Sequence, residues 1–265
     1  MTLLLGLSLC SSVFAGAVAV APPSAEVYAP RRVAVLIGVQ DYTDPALVGL
    51  KFPAKDAKDL GAVLLAPDVG AFDRVFVIDG YDSTTRDGLF RAIAVATADL
   101  QRDDTFVLYL AGHGTLEIDP IEGSELYLLP SDGRLDSARQ TGISVAEIES
   151  LVHDLPARRR VLILDTCHNG RAGSRSAVAT PTRQLIDGFR GEPPAPRTIR
   201  DVSESEARLY AAQFWQPAME DSELQNGVYT HFLIDALTKS RGSSDLDKDG
   251  LVDVAEAHEF ARDRG

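Results

Sequence analysis

Four nearly continuous apolar runs of strand length, at residues 32–37, 74–78, 105–110 and 161–164, constrain the fold of this chain more than any other feature. Runs that are apolar at successive positions are apolar on both faces, as in a parallel sheet covered by helices on each side. Stretches with helical periodicity lie between them. Ala54, Ala57, Leu60, Gly61 and Leu64 share one helical face, and Leu89, Ile93, Ala96 and Leu100 share another. Ser144 and Glu147 have capping-box spacing and open a helix whose stripe is Ile148, Leu151, Val152 and Leu155. The order β-α-β-α-β predicts an α/β fold with a doubly wound, mostly parallel sheet, right-handed crossovers and helices on both faces. A further strand is expected at 208–212 and a helix at 228–239.

The chain has 265 residues, enough for one such domain with a well-buried core. Its net charge of −13 repels nucleic-acid backbones, so no nucleic-acid partner is expected. Residues 3–21 carry no charge and are rich in Leu, Val and Ala, with small residues near the end and Pro22-Pro23 after it. This reads as a secretory signal peptide over 1–21, followed by a linker over 22–30. An uncleaved membrane anchor is the alternative, because no Lys or Arg precedes the run and it is long enough to span a bilayer. The mature protein is expected to be exported, either periplasmic or secreted. Cys10 follows Leu9 rather than a small residue and does not read as a lipidation site. Removal of the leader leaves Cys167 as the one cysteine, which rules out an internal disulfide and suggests a reactive thiol. A buried packing role is the plain alternative.

Ligands of open parallel sheets bind beyond the carboxyl ends of the strands. Two polar motifs fall at such ends. The 105–110 strand runs into Ala111-Gly112-His113-Gly114, and the 161–164 strand into Asp165-Thr166-Cys167-His168-Asn169-Gly170. If the strands are neighbours, His113 and Cys167 share one crevice. A thiol with a pKa of about 8.5 is mostly protonated at neutral pH, and an adjacent imidazole can take its proton and later return it to a leaving amine. The flanking glycines admit a peptide backbone, and N–H groups near Gly114 and Cys167 could hold an oxyanion. A phosphatase Cys-x5-Arg loop is excluded, because Gly173 stands where the Arg is needed. No Cys/His set has zinc spacing. His153 and His231 fall on expected helices and read as partly exposed.

Residues 31 to about 237 resemble the caspase-like peptidase domain, closest to bacterial metacaspase-type members. The matching residues are Ile37-Gly38-Val39-Gln40-Asp41-Tyr42, Ala54-Lys55-Asp56-Ala57, Gly112-His113-Gly114 and the 165–170 motif. The resemblance implies a three-layer sandwich of about six strands and a cysteine endopeptidase with a Cys167/His113 dyad. It also implies an oxyanion hole from the N–H groups of Gly114 and Cys167, with no cofactor for the chemical step. Asp165, two residues before the cysteine, matches the acid that lines the S1 pocket of metacaspases, and the second S1 acid maps onto Asp56. The expected substrate is a protein or peptide cut after Arg or Lys, since carboxylates in a partly desolvated pocket favour guanidinium or ammonium. A solvated helix acid is the plain alternative for Asp56. Residues 170–205 read as a mobile loop rich in Arg, Pro, Ser and Gly. Its arginines at 171, 175, 183, 190, 197 and 200 make self-processing possible.

Near the C-terminus, Asp245, Asp247, Asp249, Gly250, Leu251, Asp253 and Glu256 follow the twelve-residue EF-hand spacing. Hard oxygen ligands at these positions suit Ca²⁺, with Leu251 offering its carbonyl and Glu256 both carboxylate oxygens. Residues 241–265 are therefore expected to form a calcium loop with its exit helix, after a peptidase domain over 31–240. A polar turn held by its own Asp side chains is the alternative. A different class of function, a non-catalytic calcium-responsive scaffold on the same fold, would have been favoured by loss of Cys167 or His113, and both are present.

Overall fold

The structure is a computed structural model that describes residues 28–119, 123–167, 205–211, 220–221 and 223–264. The expected leader, most of the linker, His168 and nearly all of the 170–205 segment fall outside these residues. Among the described residues no helix is long and apolar enough to cross a membrane.

The chain runs β1 (Arg32–Gly38), α1 (Pro53–Leu65), β2 (Arg74–Ile78), α2 (Arg86–Thr97), β3 (Thr105–Asp119) and β4 (Gly123–Leu128). It continues through α3 (Ala138–Thr141), β5 (Ile143–Ser144), α4 (Val145–His153), β6 (Arg159–Cys167) and β7 (Ser205–Tyr210). The last elements are β8 (Glu220–Asp221), β9 (Asn226–Gly227), α5 (Val228–Leu237), α6 (Arg241–Ser244) and α7 (Val254–Arg262). Five strands pair in parallel in the order β2-β1-β3-β6-β7. Strands β4 and β5 continue the sheet antiparallel, making seven strands where about six were expected.

Strand periodicity sorts the core into two layers. Val33, Val35 and Ile37 of β1 pack with Leu89 and Ile93 of α2 and with Ile148 and Val152 of α4. Ala34 and Leu36 face the other way, towards Ala57 and Leu60 of α1 and Leu233 and Ala236 of α5. Helices thus cover both faces of the sheet, the α/β arrangement that the apolar runs predicted.

Two local expectations change. The third strand does not stop near Leu110 but continues through Gly112-His113-Gly114 to Asp119, pairing antiparallel with β4 from Gly114 onward. Its second half is only partly buried, so it lacks the continuous apolar signature of the first half. At the start of α4, the Ser144 hydroxyl accepts the Glu147 N–H at 3.1 Å as a cap should. The Glu147 carboxylate, however, pairs with Arg86 of α2 at 2.6 Å. An ion pair between two helices of the same layer replaces the reciprocal half of the capping box.

At the end of β1 the chain passes very close to the start of α1: a Cβ added to Gly38 would lie 2.2 Å from the Pro53 carbonyl oxygen. Both partners are backbone, so neither can swing away. Gly38→Ala is expected to destabilise the fold by more than about 2 kcal/mol, read as a lower denaturation midpoint; an unchanged midpoint would show that strand and helix part freely.

Candidate active site

The switch point of the sheet lies between β1, whose connection leads outward to β2, and β3, from which the chain goes on to the opposite edge. His113 sits there. In the parallel ladder it is the register partner of Cys167, the last residue of β6. The two residues expected to meet are therefore neighbours across adjacent strands, fixed by nine consecutive paired positions.

The imidazole is 7% exposed, and its Nε2 lies 2.7 Å from the Val48 carbonyl. A carbonyl can only accept, so Nε2 carries the proton and Nδ1 is the basic nitrogen. The Val48 carbonyl is presented by the connection between β1 and α1. Asp44 ties that connection down, accepting the N–H groups of Ala46 at 2.9 Å and Leu135 at 2.7 Å. The Tyr42 hydroxyl accepts the His113 N–H at 2.8 Å and donates to the Val39 carbonyl at 3.0 Å, with its ring 4.9 Å from the imidazole. A Cβ on Gly112 would sit 3.0 Å from that hydroxyl, so a small residue is needed for the tyrosine to reach in. On the same strand edge, the His113 carbonyl accepts from Leu129 N–H at 2.9 Å. Successive backbone amides of a strand point to opposite edges. With His113 turned towards Tyr42 and Leu129, the Gly114 N–H turns towards β6 and the Cys167 end.

Asp56 and Asp165 also meet. A Cβ on Gly227 would lie 3.0 Å from Asp56 Oδ2 and 3.4 Å from Asp165 Oδ2, so both carboxylates converge on the one residue without a side chain. Asp56, in the first turn of α1, is 2% exposed, which overturns its reading as a solvated helix acid. It accepts from Asn226 Nδ2 at 2.8 Å and from the Gly227 N–H at 3.1 Å. Burial pushes its pKa up to about 7, aided by the charge of Asp165 and opposed by the Asn226 and Gly227 hydrogen bonds. Asp165 is 8% exposed, and burial raises its pKa too, against the hydrogen bond from the Thr230 hydroxyl at 2.6 Å. Thr230 gives its proton to Asp165, so Tyr109 donates in turn to Thr230 across 2.7 Å.

The family model described as the caspase domain matches residues 31–259. The chain belongs to the caspase-domain family. The crystal structure of protein GSU0716 from Geobacter sulfurreducens is similar in fold, with a TM-score of 0.54 and 21% identity over 80% of this chain and 83% of that one. No curated protein matches the chain.

In this caspase domain the sequence named His113, Cys167, Asp56 and Asp165, but not the groups that hold them. Tyr42, Val48, Asn226, Gly227 and Thr230 act through backbone groups, short polar side chains or the lack of one. Only Tyr42 stood in a quoted motif, without a role. His153 is exposed beside Glu206, and His231 lies near Asp235, as expected of helix-surface residues.

The C-terminal loop lies apart from these groups. The carboxylates of Asp245, Asp247 and Asp249 each offer an oxygen within 4.8 Å of the others. Gly250 has φ +90°, the left-handed turn expected at that loop position. Glu256 folds back, accepting from the N–H groups of Leu246 at 2.7 Å and Asp253 at 2.9 Å, and these bonds hold its pKa below the usual range. Asp253 caps α7 through the N–H groups of Ala255 and Glu256. Three of the expected ligands thus converge, Glu256 closes the loop, and Asp253 is engaged with the helix.

Tyr42→Phe leaves the buried His113 N–H without its acceptor. The expected cost is about 1–3 kcal/mol of stability, measured by thermal or denaturant unfolding, with far-UV circular dichroism unchanged.

Proposed function

We propose that this protein is a cysteine endopeptidase of metacaspase type that cleaves after Arg or Lys. The observation that carries the reading is the register pairing of His113 with Cys167, with the Asp56/Asp165 pair at the carboxyl end of β6 in support. In this reading, His113 Nδ1 takes the Cys167 proton and the thiolate adds to the scissile carbonyl. The oxyanion is held by the N–H groups of Gly114 and Cys167. Collapse of the tetrahedral intermediate breaks the C–N bond, and the imidazolium returns its proton to the leaving amine. His113 then deprotonates water, which hydrolyses the thioester to a carboxylic acid and restores the thiol. The Val48 carbonyl stabilises the imidazolium in between, as an acceptor for the Nε2 proton.

The P1 cation would sit beside two buried acids, whose burial and mutual repulsion disfavour a second negative charge. Its arrival supplies the missing countercharge. The same preference makes the arginines of the 170–205 segment candidate sites of self-processing. We also propose calcium for the 245–256 loop, on the strength of its all-oxygen donors at EF-hand spacing and the convergence of Asp245, Asp247 and Asp249. The chemistry above needs no metal.

Fluorogenic peptides ending in Arg, Lys or Asp, tested with and without Ca²⁺, check this directly. Cleavage after Arg and Lys that vanishes in Cys167→Ala is expected; cleavage after Asp alone would refute the pocket assignment, and no Cys167-dependent cleavage would refute the activity. The pH dependence has a defined sign. Below about pH 7 Asp56 is protonated in the free enzyme and must lose its proton to bind a cation. KM for an Arg peptide should therefore fall as pH rises towards 7, by up to about tenfold per unit, and level off above it. A flat KM over this range in the wild type, or the same slope in Asp56→Asn, would contradict the assignment.

A further inference from the structure

Helix α5 supports both acids from its N-terminal end. The Gly227 N–H, just before the helix, bonds Asp56 at 3.1 Å, and the Thr230 hydroxyl in its first turn bonds Asp165 at 2.6 Å. No side chain caps this helix. Between those two residues stands Tyr229, 5% exposed, whose ring lies in the layer shared with α7. There its hydroxyl meets Nδ1 of His258 at 2.8 Å, with the two rings edge to face at 5.8 Å. Burial and the charge of Asp165 raise the Tyr229 pKa, so the phenol keeps its proton and meets the imidazole as a neutral hydroxyl. Helix α7 is a firm base for that contact. Ala257, Phe260 and Ala261 are buried in the same cluster as Leu233 and Ala236 of α5, and a complete capping box closes its N-terminus. Buried carboxylates are sensitive to small displacements of their donors, because lost hydrogen bonds are not replaced by water.

We propose that His258 is a positioning residue for the substrate's basic P1 side chain: its hydrogen bond to Tyr229 fixes the first turn of α5, from which Gly227 and Thr230 hold the two carboxylates. His258 lies on the C-terminal helix and makes no contact with either acid. The inference rests on the pocket reading above and adds a residue from outside the pocket to it.

The test uses the full chain, with Ca²⁺ held constant, and two readouts. One is calorimetric binding of agmatine, a guanidinium probe, to Cys167→Ala protein, which needs no turnover. The other is the split between KM and kcat for an Arg peptide. His258→Phe is expected to weaken agmatine binding and raise KM by about tenfold while kcat and the rate of Cys167 alkylation by iodoacetamide stay within about twofold. His258→Asn, which keeps a hydrogen-bonding group near the place of Nδ1, should restore most of the affinity, and Tyr229→Phe should mimic His258→Phe. If His258→Phe does not fold, the Asn and Tyr229→Phe variants carry the comparison. Agmatine binding that is unchanged in His258→Phe or Tyr229→Phe overturns the inference and leaves the pocket standing. A wild-type pocket that binds no agmatine overturns both. A fall in kcat and alkylation rate equal to the change in affinity points to general loosening and also overturns it.

Discussion

The parallel ladder that joins β1, β3 and β6 residue for residue fixes where every polar group at the carboxyl end of the sheet falls. Its strands are buried on both faces, so a slip of one residue would turn an apolar set into the wrong layer, and the hydrophobic pattern forbids it. The position of His113 opposite Cys167 is thus set by Val33, Leu36, Phe106, Leu108 and Leu162 deep in the core, as much as by anything near the site. The same ladder decides which edge each backbone amide addresses. That is how a strand with a glycine on each side of its histidine can turn one N–H towards Tyr42 and the next towards β6.

Around this frame the site divides into two supports of different kind. His113 is gripped by neutral groups: the Tyr42 hydroxyl on its N–H, the Leu129 N–H on its carbonyl and the Val48 carbonyl on its imidazole. None changes its charge near neutral pH. The acid pair is held by donors that only partly offset burial, so it keeps an electrostatic demand that a cation can meet.

Much of this was legible in the sequence. The four apolar runs became β1, β2, the first half of β3 and the middle of β6, and the helical stripes became α1, α2, α4 and α5, because burial on a face is what writes these patterns. The antiparallel continuation of β3 with β4 and β5 was not legible, since half-exposed strands carry a weak alternating signal that mixes with loop composition. The further strand expected at 208–212, β7, begins at Ser205 and ends at Tyr210, an edge strand whose polar start resembles a turn. In the site, charged residues in motifs stood out. The residues that orient them did so through main-chain atoms, as with Val48, or through long-range pairs such as Asn226 with Asp56, and a single sequence holds no trace of a contact across 170 positions. The burial of Asp56 was undecidable from its neighbours for the same reason: what covers it arrives from β9 and α5.

The geography of these supports separates two kinds of change. His113 and Cys167 stand on β3 and β6, in the rigid middle of the sheet. The surroundings of the acid pair come from α1, β9 and α5, with α7 behind them, all on one flank. Under the proposed function, substitutions that alter which side chain is accepted would accumulate on that flank without disturbing the ladder that sets His113 opposite Cys167. On that reading specificity would drift without cost to the reaction, and the helical flank, rather than the sheet, is the place where divergence is easiest to accommodate.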